Sequence, residues 1–196
     1  MRCGVLAVLA VGVGAVVGVG SAQGTVIHNE VVNGDLSNDK SVPTHYALLP
    51  GVSSILASVN GATDFQDWVS ITVPAGYELS ALMLTDYDSQ DAVAFTGFQL
   101  GPAFVGSEFE AGSYAGWTHL GPTQLGEDLL LHMADQVTNP GSQGFTPPLP
   151  AGTYTFLIQQ IGDDTLYLYD FHVTAVPGPA GLLALAGVGA FARRRR

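Results

Sequence analysis

The chain has 196 residues, with 17 acidic residues, six basic ones and a single cysteine. Arg2 and Arg193 to Arg196 lie at the two ends, so Lys40 is the one basic residue between positions 23 and 176, where all 17 acids fall. So anionic a surface repels nucleic acid, phosphorylated ligands and anionic lipid headgroups and attracts divalent cations, which excludes nucleic-acid binding as a function. Cys3 immediately precedes an N-terminal apolar run, so the rest of the chain has no disulfide and no thiolate chemistry.

That run, residues 4–20, follows the short basic start Met1-Arg2 and reaches Gly20-Ser21-Ala22, small residues of the kind a signal peptidase reads. The layout is that of a secretory signal peptide over 1–22, with cleavage expected after Ala22. Glycines 12, 14, 18 and 20 argue against an uncleaved anchor, because glycine weakens a spanning helix.

Residues 23–175 then make one domain of ordinary size, long enough to bury a core. Turn residues punctuate it throughout, and no long helical periodicity runs through it. Strands are expected at 26–32 and 54–59. Residues 67–73 alternate, with Val69, Ile71 and Val73 on one face and Ser70 and Thr72 on the other, the pattern of a half-buried strand ended by Pro74-Ala75-Gly76. Apolar runs at 79–85 and 92–100 make two more strands. Segment 111–144 is glycine-rich and is expected to be loop, with one short helix near 127–134. Pro150-Ala151-Gly152 then opens 153–160, where Tyr154, Phe156 and Ile158 share a face, and Tyr167, Tyr169, Phe171 and Val173 share a face of 166–174. The aromatic and β-branched content suits strands. Seven or more short strands with Gly/Pro turns predict an all-β fold, a single β-sandwich of jelly-roll type.

The chain ends in Val176-Pro177-Gly178-Pro179, 13 apolar or small residues at 180–192, and Arg193, Arg194, Arg195 and Arg196. A helix of that length rises about 20 Å, short of a hydrocarbon core of about 30 Å. The arginines behind it would stay on the cytoplasmic side. This order of parts resembles the tripartite sorting tail of PEP-CTERM proteins, with Gly178 standing where that family's motif has glutamate. The resemblance implies transient membrane insertion of 176–196, handling by an exosortase-like enzyme after signal peptidase, and a place at the cell envelope, the outer surface or the extracellular medium, often with exopolysaccharide.

Inside the domain, Asp64, Asp67 and Trp68, the Val-Pro-Ala-Gly turn at 73–76 and residues 149–156 are similar to bacterial pre-peptidase C-terminal (PPC-like) domains. That likeness implies a jelly-roll accessory module, generally non-catalytic, some members of which bind Ca²⁺ or polysaccharide.

Three acidic groupings are candidates for a hard cation, which oxygen ligands bind. Asn33-Gly34-Asp35-Leu36-Ser37-Asn38-Asp39 has alternating oxygen ligands but lacks the terminal glutamate of an EF-hand, and it reads as a polar loop with Asx turns. Asp64 with Asp67, and Asp86, Asp88 and Asp91 in the turn after the 79–85 strand, could meet at one end of the sandwich around Ca²⁺; solvated turn aspartates are the other reading. The five histidines show neither His-x₃-His nor His-Glu-x-x-His spacing. Trp68, Tyr87, Tyr167 and Tyr169 would serve the core or a sugar. Tyr114 and Trp117, in the glycine-rich stretch 112–117, are the carbohydrate candidates, as loop aromatics able to stack on a pyranose ring. The function expected is that of an exported, non-catalytic envelope or matrix module that binds polysaccharide or Ca²⁺. The alternative is a secreted hydrolase of carbohydrate with an acidic site among Glu108, Glu110 and Glu127, the first two on one side of a strand.

Overall fold

The computed structural model describes residues 24–178. The signal segment with its Ala22 cleavage point, and the tail from Pro179 through Arg193 to Arg196, lie outside the described residues. Among the described residues, no helix is long and apolar enough to cross a membrane.

The described residues form nine strands in chain order: β1 (Thr25–Asn29), β2 (Thr44–Ala47), β3 (Gly51–Val59), β4 (Gln66–Val73), β5 (Tyr77–Ser89), β6 (Ala94–Leu100), β7 (Gly116–Leu120), β8 (Gly152–Gln159) and β9 (Thr165–Ala175). Two short helices, α1 (Glu30–Asn33) and α2 (Leu129–Ala134), interrupt them. The strands form a four-stranded sheet ordered β1-β3-β9-β5 and a five-stranded sheet ordered β2-β4-β8-β6-β7. Both sheets are mixed, since β1 runs parallel to β3 and β2 parallel to β4, while every other pair is antiparallel.

Period-two alternation puts the expected residues between the sheets. Val69, Ile71 and Val73 of β4, Tyr154, Phe156 and Ile158 of β8, and Tyr167, Tyr169, Phe171 and Val173 of β9 are all buried in one cluster. The Pro74-Ala75-Gly76 turn places Gly76 at φ 83°, which only glycine adopts freely.

Four details differ from the expectation. The first strand stops at Asn29, whose side chain accepts from the Val31 amide and starts the single turn α1. β2 and β7 were not expected: β2 is a four-residue edge strand too short to show an alternation, and β7 lies in the glycine-rich stretch. Glu108 and Glu110 occupy a turn rather than a strand. Finally, β4 is buried on both faces. Residues 101–115 cross the outer face of the five-stranded sheet, where Phe104 and Tyr114 pack on Trp68 and Leu157 as a second small core. Trp68 and Tyr114 each lie 4.9 Å from the Phe104 ring, centroid to centroid.

That cover needs Gly97 of β6. A Cβ there would come within 2.7 Å of Tyr114 Cδ1 and 3.1 Å of Trp117 Cβ. Gly97→Val should therefore lower stability by about 1–3 kcal/mol through overpacking, read as a lower urea midpoint at unchanged slope.

Candidate cation site and outer-face clefts

Three carboxylates meet at one end of the sandwich. Glu30 opens α1, and its Oε2 accepts from both the amide and the hydroxyl of Ser58, each at 2.7 Å. Gly34, at φ 84°, closes α1 by donating its amide to the Glu30 carbonyl and delivers Asp35 to the same place. Asp64 ends a turn held by Asn60, whose side-chain oxygen accepts from the amides of Ala62 and Thr63. One carboxylate oxygen from each of Glu30, Asp35 and Asp64 lies within 4.8 Å of the other two.

No lysine or arginine offsets this charge, and His28, which interacts with Asp35, is held below its usual range by burial. Lys40, the one lysine or arginine among the described residues, is engaged elsewhere, 2.5 Å from Glu108 Oε2. Burial raises the Glu30 and Asp64 carboxyls above the usual range, and Asp35 adds to both. Behind them Asp67 is fully buried. Its Oδ2 accepts from the Tyr167 hydroxyl at 2.7 Å, whereas its Oδ1, like Asp64 Oδ1, is buried with no partner. Desolvation pushes the Asp67 carboxyl up to about 8, against the Tyr167 hydrogen bond and with help from Asp64, Glu30 and Asp35.

A Ca²⁺ ion takes oxygen ligands at about 2.3–2.6 Å, so ligands on opposite sides of it stand about 5 Å apart and neighbours closer. The spacing of Glu30, Asp35 and Asp64 lies inside that limit. An all-oxygen donor set suits a hard cation better than zinc.

Of the sequence candidates, the structure brings Asp64 into this group and sets Asp67 behind it. Asp86 and Asp88 are exposed on β5, and Asp91, in the following turn, is outside the group. Glu30 and Asp35 were not named as ligands. Asp35 stood in a segment noted for its alternating oxygens, but Glu30 fell inside an expected strand and carried no signal.

The outer face of the five-stranded sheet carries one cleft, and a second adjoins it around the edge strand β7. One, of about 550 Å³, is lined by Phe95, Glu108, Phe109, Trp117, His119 and Gln159 among others. The second, of about 360 Å³, is lined by Gln124, His132, Asp135, Thr138 and Asn139. Trp117 and His119, from edge strand β7, line both. Trp117 is half-buried and stacks on Phe95 with centroids 5.8 Å apart. Tyr114 forms part of the first cleft's wall but is buried, its hydroxyl donating to the Glu108 carbonyl at 2.7 Å. Trp68, Tyr87, Tyr167 and Tyr169 are interior residues. Glu108 is held below the usual carboxylate range by Lys40, Glu127 lies 2.6 Å from His132, and Glu110 is exposed.

These features define a two-sheet β-sandwich with an uncompensated acidic pocket at one end and open clefts on one face and around its β7 edge. No protein-family model, curated protein or solved structure matches the chain.

Proposed function

We propose that the chain is an exported, non-catalytic β-sandwich module of the cell envelope or extracellular matrix, stabilised by one Ca²⁺ ion held by Glu30, Asp35 and Asp64. The observation that carries the cation is the convergence of three carboxylates within 4.8 Å, with buried, unpartnered oxygens on Asp64 and Asp67 and no lysine or arginine to neutralise them. A cluster of this kind is repulsive on its own and becomes favourable around a divalent ion. An exported domain without disulfides gains most from such a brace.

The export reading rests on the signal-like residues 1–22 and on the tail with Pro177, Gly178 and Pro179. It implies processing by signal peptidase and an exosortase-like enzyme. Intact mass of the secreted protein should lack residues 1–22; a mass that retains them would contradict that route.

We also read the sandwich as a jelly roll. The neighbours β3-β9-β5 in one sheet and β4-β8-β6-β7 in the other follow that order of strands. The place beside β5 is taken by two isolated bridges, Leu79 with Leu149 and Met83 with Asp128.

The hydrolase alternative has less support. A general acid needs a raised carboxyl facing a second carboxylate about 5–9.5 Å away, and Glu108 of the larger cleft is instead lowered by its lysine.

Thermal melting of the purified chain in EDTA and in Ca²⁺ tests the reading. An ion at 100 times its dissociation constant adds about 2.7 kcal/mol, several degrees in Tm for a domain of this size. The Asp35→Asn variant should lose most of that gain. An unchanged Tm in the unsubstituted chain would remove the cation from the account.

A further inference from the structure

We propose that the outer-face cleft and the cleft around the β7 edge form one continuous binding track for an extended neutral glycan, with Trp117 and His119 as the ridge that adjacent sugar residues straddle. This deepens the reading of an extracellular module, and it stands on side chains separate from the acidic cluster.

The clefts differ in the way that a sugar chain requires. A pyranose ring presents an apolar CH face and a rim of hydroxyls that donate and accept. The larger cleft offers the apolar part: Trp117 stacked on Phe95, with Phe109 and Ile161 at its rim, 76% and 78% exposed respectively. Exposed apolar side chains gathered around a concave surface mark a binding site more than they mark a solvated face. Polar edges are supplied by Gln159 and Glu108, one oxygen of which is taken by Lys40. The smaller cleft is lined mainly by hydrogen-bonding groups, Gln124, His132, Asp135 and Thr138.

Two further observations favour a polymer over a small apolar ligand. The clefts are open and adjoin across β7, the edge strand of its sheet, so a chain can enter and leave rather than end in a closed cavity. The aromatic platform is rigid, because Phe95 is fixed between Tyr114, Trp117 and His119 at centroid distances of 5.4, 5.8 and 6.0 Å. Neutrality of the glycan follows from the charge: the domain holds one lysine, already paired with Glu108, against 17 acids, so a uronic-acid polymer would be repelled.

Isothermal titration of the purified chain tests the track with four neutral linear probes: β-1,4-gluco-, β-1,3-gluco-, β-1,4-manno- and β-1,4-galacto-oligosaccharides, each as disaccharide and tetrasaccharide. At least one series should bind, with the tetrasaccharide at least tenfold tighter than the disaccharide, while tetragalacturonate does not bind. Trp117→Ala should weaken the tetrasaccharide at least tenfold, and Trp117→Phe should retain part of the affinity. Gln124→Ala should reduce tetrasaccharide binding and leave the disaccharide unchanged, with thermal melting showing that all variants fold. Binding by none of the four series overturns the proposal, as does a tetrasaccharide no tighter than its disaccharide. Trp117-dependent binding of the apolar dye ANS with no saccharide binding would overturn it in favour of an apolar ligand. Titrations run in both Ca²⁺ and EDTA keep the two readings apart: saccharide binding without a Ca²⁺ effect on stability sinks the cation site alone, and the reverse sinks the track alone.

Discussion

In EDTA at pH 8, Asp67→Asn should raise the melting temperature of the chain, and the difference between variant and parent should shrink steadily as the pH is lowered to 4. The Asp67 carboxyl is raised from 3.8 to about 8, first by desolvation and then by Asp64, Glu30 and Asp35. Between those limits the unfolded chain has released the proton while the folded chain still holds it. The stabilisation is thus complete below pH 4 and is lost as pH rises towards 8. At about 1.4 kcal/mol per pH unit, a partly realised shift of this size amounts to a few kcal/mol. Glu30 and Asp64, also raised, act in the same direction. His28 acts against them: burial lowers it, so it destabilises the fold as pH falls through its unfolded value near 6.5. The comparison between variant and parent cancels that contribution. Asparagine keeps an oxygen for the Tyr167 hydroxyl and has no proton to lose. A variant less stable than the parent by the same amount at every pH would contradict the account of a charge-strained pocket.

Trp68→Ala should cost about 3–5 kcal/mol, as much as truncating a large residue of the central core. The side chain lies on the outer face of β4, where a sheet facing water would leave it worth little. Here it has no solvent exposure, packs 4.9 Å from Phe104, and shares its cluster with Tyr114 and Leu157. Chemical denaturation measures the change. A loss below about 1 kcal/mol would mean that residues 101–115 cover the sheet only loosely.

The sandwich was legible because its inner faces are written as alternation. Most inward residues of β4, β8 and β9 are apolar, with Asp67 and Thr165 the exceptions, and that pattern was sufficient to place Ile71, Phe156 and Tyr169 in the core. The second face of β4 was not legible, because Ser70 and Thr72 are as polar as outward residues normally are, yet Ser70 is buried, with His45 of the neighbouring strand β2 on its hydroxyl. The turn chemistry was half legible. Pro74-Ala75-Gly76 and Pro150-Ala151-Gly152 look alike, yet Gly76 takes a positive φ while Gly152 is already in β8. In the acidic pocket, Asp64 and Asp67 were visible as neighbours of the Trp68 strand. Glu30 was hidden because a run of valines concealed the one-turn helix that Asn29 starts. Asp86 and Asp88 looked similar in sequence but alternate outward along β5, where water solvates them. The carbohydrate candidates divided for a comparable reason: Trp117 lies on an edge strand facing the clefts, whereas Tyr114 in the same stretch turns inward over Gly97.

The cation site is tested most directly by terbium(III), which substitutes for Ca²⁺ and emits when a nearby tyrosine or tryptophan is excited. Titrated into the purified chain, it should give sensitised emission that saturates at one ion per chain, is displaced by Ca²⁺, and is lost in the Glu30→Gln/Asp35→Asn/Asp64→Asn variant. Emission that never saturates, or that the triple variant retains in full, would place any bound cation elsewhere on this acidic surface and contradict the assignment of Glu30, Asp35 and Asp64 as its ligands.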